Sequence, residues 1–100
     1  LSSIDLIKCD VEGHELEVFQ GGCATLKQFK PVVMFECEAR HNGPENVMAV
    51  FDYLFSLNYK GCFYNGHSFV DLDQFDLVKY QTCPNRKIYV NNFFFTPKGT

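Results

Sequence analysis

The stretch Ile4–Glu15, IDLIKCDVEGHE, decides the fold because it joins an apolar strand pattern to two acids and a glycine. A short apolar run of this kind is typical of a β-strand covered on both faces, as in parallel sheets. From Lys8 onward, every second position of this strand is polar: Lys8, Asp10 and Glu12. Because side chains alternate between the two faces of a strand, these three should project from the same face. Since an unpaired buried charge is costly, this face is predicted to border a paired or solvated cleft.

The composition indicates one small domain with ample material for a core. The chain has 100 residues, is 46% hydrophobic and contains 11 Phe and 5 Tyr. The net charge is -3 and the nine basic residues are scattered, which argues against nucleic acids and anionic membrane surfaces as partners. No apolar run approaches the ~20 residues of a membrane span.

The cysteines are odd in number and include no CxxC pair. Reduced structural thiols are therefore predicted in preference to a disulfide framework or a zinc site, which favours the cytoplasm. Two of them lie in strand-like runs, where cysteine usually serves as a small buried hydrophobe. The five are Cys9, Cys23, Cys37, Cys62 and Cys83.

Periodicity and turn signals divide the rest of the chain into alternating elements. They predict a helix over about 14–20, a break at Gly21–Gly22 and a short helix over about 23–29. A strand centred on Val32–Phe35 follows, and then a helix that begins at Pro44. The apolar stripe of that helix consists of Val47, Val50, Phe51, Leu54 and Leu57.

The C-terminal part predicts a hairpin and a final strand. Asn65–Gly66 is a hairpin turn signal, residues 72–86 should be irregular with at most one helical turn, and a last strand over 87–97 should end at Pro97. The alternation of strands and helices predicts an α/β fold with a mainly parallel sheet. Ligands bind such sheets beyond the carboxyl ends of the strands, which here carry acids. These acids are Asp10, Glu12, Glu36 and Glu38.

The sequence IDLIKCDVEGHELEVFQGG, followed by TLKQFKPVVMFECEA, resembles the C-terminal half of FkbM-type methyltransferases, which use S-adenosyl-L-methionine. The resemblance runs from about Ile4 to Cys37 and, more loosely, through the helix at 44–57 and the last strand. It implies a class I, Rossmann-like methyltransferase sheet whose last strand is antiparallel, of which residues 1–100 supply the fourth to seventh strands. The cofactor-binding N-terminal half is then absent from this sequence.

The resemblance also implies an activity, which is methyl transfer to a hydroxyl oxygen of a sugar, glycan or natural-product acceptor. The 100-residue fragment alone should be inactive. The strand at 4–11 is central in the whole fold but an edge here, so the predicted partners are the N-terminal half or a second copy paired through this strand.

Methyl transfer requires alignment of the acceptor and removal of its proton, and carboxylates suit both tasks. Asp10, Glu12 and Glu36 are therefore the catalytic candidates, and Asp10 with Gly13 would also border the cofactor. Asp10 has a plainer interpretation as an ion pair with Lys8 or a helix cap, and Glu12 as an acid that complements a helix dipole. Magnesium binding is not predicted, because no dedicated metal motif is present.

Three further residues are candidates for the acceptor site: His14, Glu38 and His41. Each has a simpler interpretation. His14 would be a half-exposed first-turn histidine, Glu38 a solvated loop acid and His41 a surface-loop residue. Two other classes of protein also remain open. One is a non-catalytic binding or assembly module, and the other is a fragment of a different Rossmann-like enzyme, which an upstream dinucleotide fingerprint would reveal.

Overall fold

The computed structural model describes residues 5–10, 13–39, 43–82 and 89–98, which form one sheet with helices beside it. The strands are β1 (Leu6–Cys9), β2 (Val32–Glu36), β3 (Tyr59–Tyr64), β4 (Phe69–Asp71) and β5 (Asn92–Pro97). The α-helices are α1 (Glu15–Gly21), α2 (Cys23–Phe29) and α3 (Pro44–Ser56). None of the described helices is long and apolar enough to cross a membrane.

The strand order is β1-β2-β5-β3-β4, and only the β1–β2 pairing is parallel among the described strands. The prediction of a mainly parallel sheet is therefore wrong. The sheet is mixed because β5 inserts between β2 and β3 and runs antiparallel to both. As a result β2 and β3 run in the same direction but do not pair with each other. The prediction of an antiparallel last strand is confirmed.

The core lies on one face of the sheet, where α1, α2 and α3 pack. The ring of Phe51 on α3 lies 4.7 Å from that of Phe93, and the ring of Phe19 on α1 lies 5.2 Å from that of Phe35. Edge-to-face pairs at such distances add about 0.5–1.5 kcal/mol each beyond area burial. The predicted stripe of α3 is confirmed, since its first four members are buried and Leu57 is partly buried.

The opposite face of the sheet has no described helix over it. Leu6 and Val32, paired neighbours on β1 and β2, are 56% and 36% exposed, and Lys8 is exposed as well. The prediction that β1 is covered on both faces is therefore wrong for the described chain. Its position at the edge of the sheet is as predicted. We call this surface the open face.

The remaining element boundaries follow the sequence signals closely. The hairpin forms around Asn65, whose side-chain oxygen accepts from the backbone N–H groups of His67 and Ser68. The stretch predicted to be irregular contains two short helical turns, Leu72–Gln74 and Val78–Thr82. The last strand ends at Pro97 as predicted but begins at Asn92.

Gly61 on β3 is a position where the fold requires the absence of a side chain. A Cβ added there would lie 2.8 Å from the ring of Phe95 and 2.9 Å from Leu72, and the Phe95 ring is fully buried. We expect Gly61→Ala to lower the free energy of unfolding by about 1–3 kcal/mol through overpacking. Urea denaturation measures this loss. Gly21→Ala, which meets nothing within 4 Å, is the matched control and should be neutral or stabilising.

Candidate functional site

The carboxyl ends of β1 and β2 bring two candidate acids together. The parallel register pairs Cys9 with Phe35, so the next residues, Asp10 and Glu36, occupy neighbouring positions at the same edge of the sheet. Asp10 is exposed and Glu36 is partly exposed. By strand alternation both belong to the open face, on which Leu6 and Val32 lie. The carboxylates are therefore accessible from one side of the sheet.

Asn91, which immediately precedes β5, holds the acids of β2. Its Nδ2 donates to Glu36 Oε1 at 3.0 Å and to Glu38 Oε1 at 2.8 Å. This confirms that the two glutamates turn toward one side. The interpretation of Glu38 as a solvated loop acid is wrong, because Glu38 is only 3% exposed. A carboxylate is stable at such depth when charge-assisted hydrogen bonds replace its water, and Asn91 provides one.

A buried amide, Gln81, fixes the backbone around these acids. Its Nε2 donates to the carbonyls of Cys37 at 2.9 Å and of Val90 at 3.0 Å, while its Oε1 accepts from the N–H of Ala39 at 2.6 Å. The N–H of Cys37 also donates to the carbonyl of Asn91 at 2.8 Å. The segment after β2 is thus joined to the segment before β5, which sets the position of Glu38.

The turn between β1 and α1 is anchored by Glu15. The Glu15 carboxylate is fully buried and accepts from the N–H of Gly13 at 3.2 Å. Gly13 has φ 98°, a left-handed conformation that a residue with a Cβ adopts at a cost, so glycine suits this turn. Burial and the Glu15 carboxylate, which also accepts from the thiol, raise the pKa of Cys37 well above its usual range. Glu15 therefore links the turn to the end of β2.

The other candidates do not join this cluster. His14 is the exposed residue before α1, and its Nδ1 lies 3.9 Å from Oε2 of Glu17, a pair that is open to solvent. Glu12 and His41 lie outside the described residues. Within the part of the chain that is described, no group of three or more His, Cys, Asp or Glu side chains could hold a metal ion.

Sequence reasoning missed Asn91, Gln81 and Glu15. Asn91 stands beside Asn92 between apolar runs, and a polar pair at the start of a strand was the available signal. Glu15 was part of the quoted motif without a role. Gln81 lies in a stretch without periodicity, and its partner Cys37 is 44 residues away, so no local pattern could reveal it.

The four described cysteines are free thiols, and Cys83 lies outside the described residues. Burial raises the pKa of Cys9, with a smaller contribution from the Glu15 charge. Cys23 differs, because a hydrogen bond with Tyr53 lowers the pKa of its thiol and the Lys27 charge adds to this. The thiols on the covered side of β1 and β2 are therefore protonated at neutral pH.

Of the four described cysteines, we expect Cys23 to react first with iodoacetamide, because its lowered pKa enlarges the thiolate fraction at neutral pH. Tyr53→Phe removes the hydrogen bond, so the pKa should rise and alkylation at pH 7 should slow, with the difference vanishing at strongly alkaline pH. Mass spectrometry of the labelled peptides measures this. Faster labelling of Cys9 or Cys37 in the folded protein would contradict the assignment.

Comparison with known proteins gives one match. Residues 1–75 match the Methyltransferase FkbM domain family, a span that includes β1, β2, the acids at their ends and the β3–β4 hairpin. No curated protein and no solved structure shows a significant match. Three quarters of the chain, including the turn after β1 and the strand that carries Glu36, thus follow one family pattern. The chain belongs to the FkbM methyltransferase domain family.

Proposed function

We propose that the chain is the C-terminal half of an S-adenosyl-L-methionine-dependent methyltransferase that acts on a hydroxyl oxygen of a sugar, glycan or natural-product acceptor. The observation that carries this proposal is that Asp10 and Glu36 occupy neighbouring positions at the carboxyl edge of the sheet, where Asn91 holds Glu36 by a hydrogen bond. Family membership supplies the reaction class, and the exposed acids supply groups that can orient a hydroxyl and accept its proton.

In this proposal the residues divide the work by position. Asp10 orients the acceptor hydroxyl and holds its proton on an Oδ, and Glu36, fixed by Asn91, sets the electrostatic environment beside it. Glu12 is a further candidate for proton transfer. Because Glu38 is buried and bonded to Asn91, we assign it to positioning rather than to acceptor contact.

The cofactor fits the turn after β1 on two counts. The exposed Asp10 carboxylate complements a cationic sulfonium, and Gly13 presents no Cβ to a ligand that approaches the backbone. When bound, S-adenosyl-L-methionine supplies an electrophilic methyl group. We propose that its remaining contacts come from an N-terminal half that pairs with the outer edge of β1. The free thiols favour a cytoplasmic setting.

A methyl-transfer assay tests the function. Intact protein that contains this segment should transfer label from methyl-labelled S-adenosyl-L-methionine to a hydroxylated acceptor, and residues 1–100 alone should not. A different pair of results would support a binding or assembly module. In that case residues 1–100 alone would be folded and dimeric, and the intact protein would neither bind the cofactor nor transfer label. The open edge of β1 is the observation that favours this second candidate.

A further inference from the structure

An aromatic cleft of about 520 Å³ is lined in part by Asn91, the residue that donates to Glu36 and Glu38. Its volume lies within the ~300–1,000 Å³ of small-molecule sites. It is bounded by the end of β3, the start of β4 and the start of β5. Four rings and two amides make up most of its lining: Tyr64, Phe69, Tyr89, Phe94, Asn91 and Asn92.

Two of the four rings of the cleft are unusually exposed for their size. Phe69 is 63% exposed and Tyr64 is 48% exposed, whereas the aromatic residues of the opposite face are mostly buried. They nevertheless form an ordered set, with the ring of Phe69 5.3 Å from that of Tyr64 and 5.4 Å from that of Phe94. Clustered exposed aromatic surface of this kind marks a binding site.

One end of the cleft is polar and leads to the acids. Asn92 pairs with Glu36 in the antiparallel register of β5 and β2, and its Nδ2 donates to Asn91 Oδ1 at 3.1 Å. Asn91 in turn donates to Glu36 and Glu38. Phe94 and Asn92 alternate with the buried Phe93, so the cleft lies on the same open face as Asp10 and Glu36. The aromatic part of the cleft therefore adjoins the asparagines that contact Glu36 and Glu38.

We propose that this cleft binds the methyl acceptor, and that the acceptor is a ring compound with hydroxyl groups on its edge. The flat face of the ring stacks on Phe69 and Tyr64, and an edge hydroxyl extends past Asn92 and Glu36 toward Asp10. A sugar ring and a phenolic ring share this chemistry. The inference rests on the proposed function and adds to it the place and shape of the acceptor.

Ligand-observed saturation-transfer NMR on the intact protein tests binding without turnover. The probes are methyl β-glucoside for sugars and catechol for phenolic rings. The variant is Tyr64→Ala with Phe69→Ala, which should fold because both side chains are largely exposed. Met48→Ala, a 46% exposed residue on α3 across the sheet, is the matched control.

We expect at least one probe to bind the wild type and the control, and binding to the double variant to weaken by about tenfold through the loss of two stacking rings. The probe that binds identifies the class of ring. In the methyl-transfer assay the double variant should raise KM and leave kcat nearly unchanged.

Two results would overturn the proposal that the cleft binds the methyl acceptor. One is the absence of binding by either probe at millimolar concentration, and the other is equal binding by the wild type and the double variant. If methyl transfer then persists with an unchanged KM, only the location of the acceptor is wrong. If a probe does bind in the cleft but the intact protein transfers no methyl group, the proposed function fails instead.

Discussion

Gln81→Leu is expected to lower the free energy of unfolding by about 3–5 kcal/mol, although the two side chains are similar in size. Gln81 is 7% exposed and its amide satisfies the N–H of Ala39 and the carbonyls of Cys37 and Val90. Each buried polar group left without a partner costs about 1–3 kcal/mol. A domain of this size has a total stability of only ~5–15 kcal/mol, so the loss should be plain.

Chemical denaturation followed by circular dichroism measures this effect. Gln74→Leu is the matched control, because Gln74 is exposed and its amide donates to the side chain of the neighbouring, exposed Asp73. We expect the control to change stability by less than about 0.5 kcal/mol. A Gln81→Leu variant as stable as this control would show that the three backbone groups find other partners, and the role given to Gln81 would then be wrong.

Asp10→Asn in the intact protein is expected to reduce kcat roughly 100- to 10,000-fold, the range for loss of a general base. Folding should be almost unaffected, since Asp10 is exposed at the end of β1. The measurements are steady-state methyl transfer and thermal unfolding on the same preparation. Asp5→Asn changes an exposed aspartate that precedes β1, at the end of the strand opposite to Asp10; it is the control and should retain activity.

A large loss of stability in Asp10→Asn, with normal specific activity in the protein that remains folded, would remove Asp10 from the catalytic group. In that case Glu36 becomes the acid to test. Glu36→Gln keeps an oxygen that can accept from Asn91, so the hydrogen bond seen at 3.0 Å can persist while the charge is lost. A fall in kcat without a change in stability would identify the charge of Glu36 as the essential feature.

The local elements could be predicted from the sequence because each follows from a local pattern. The stripe of α3 reports which side of the helix is buried, and the apolar run Val32–Phe35 marks the strand β2. The order of the strands could not be predicted in this way. The phenylalanines of β5 could be buried at several positions in the sheet. The sequence of β5 therefore does not show that this strand inserts between β2 and β3.

The sequence predicted that acids lie at the ends of β1 and β2, but it did not predict which of them is buried. Acids at strand ends look solvated, because the polar groups that permit their burial lie far away in the sequence. Glu38 is the clear example, since Asn91, which holds it, is 53 residues away. In the sequence, Asn91 looks like any asparagine on a protein surface. Only the folded structure therefore shows that Glu38 is buried.

The central position of β5 also has a consequence for synthesis. A ribosome delivers residues 92–97 after every other described strand, yet β2 and β3 have no common neighbour until these residues arrive. Phe93 and Phe95, both fully buried, complete the core at that moment. The nascent chain therefore exposes two strand edges and an apolar face during elongation, when aggregation is a hazard. A message cut just before the codon for Asn92 should yield a chain that chaperones retain and proteases remove.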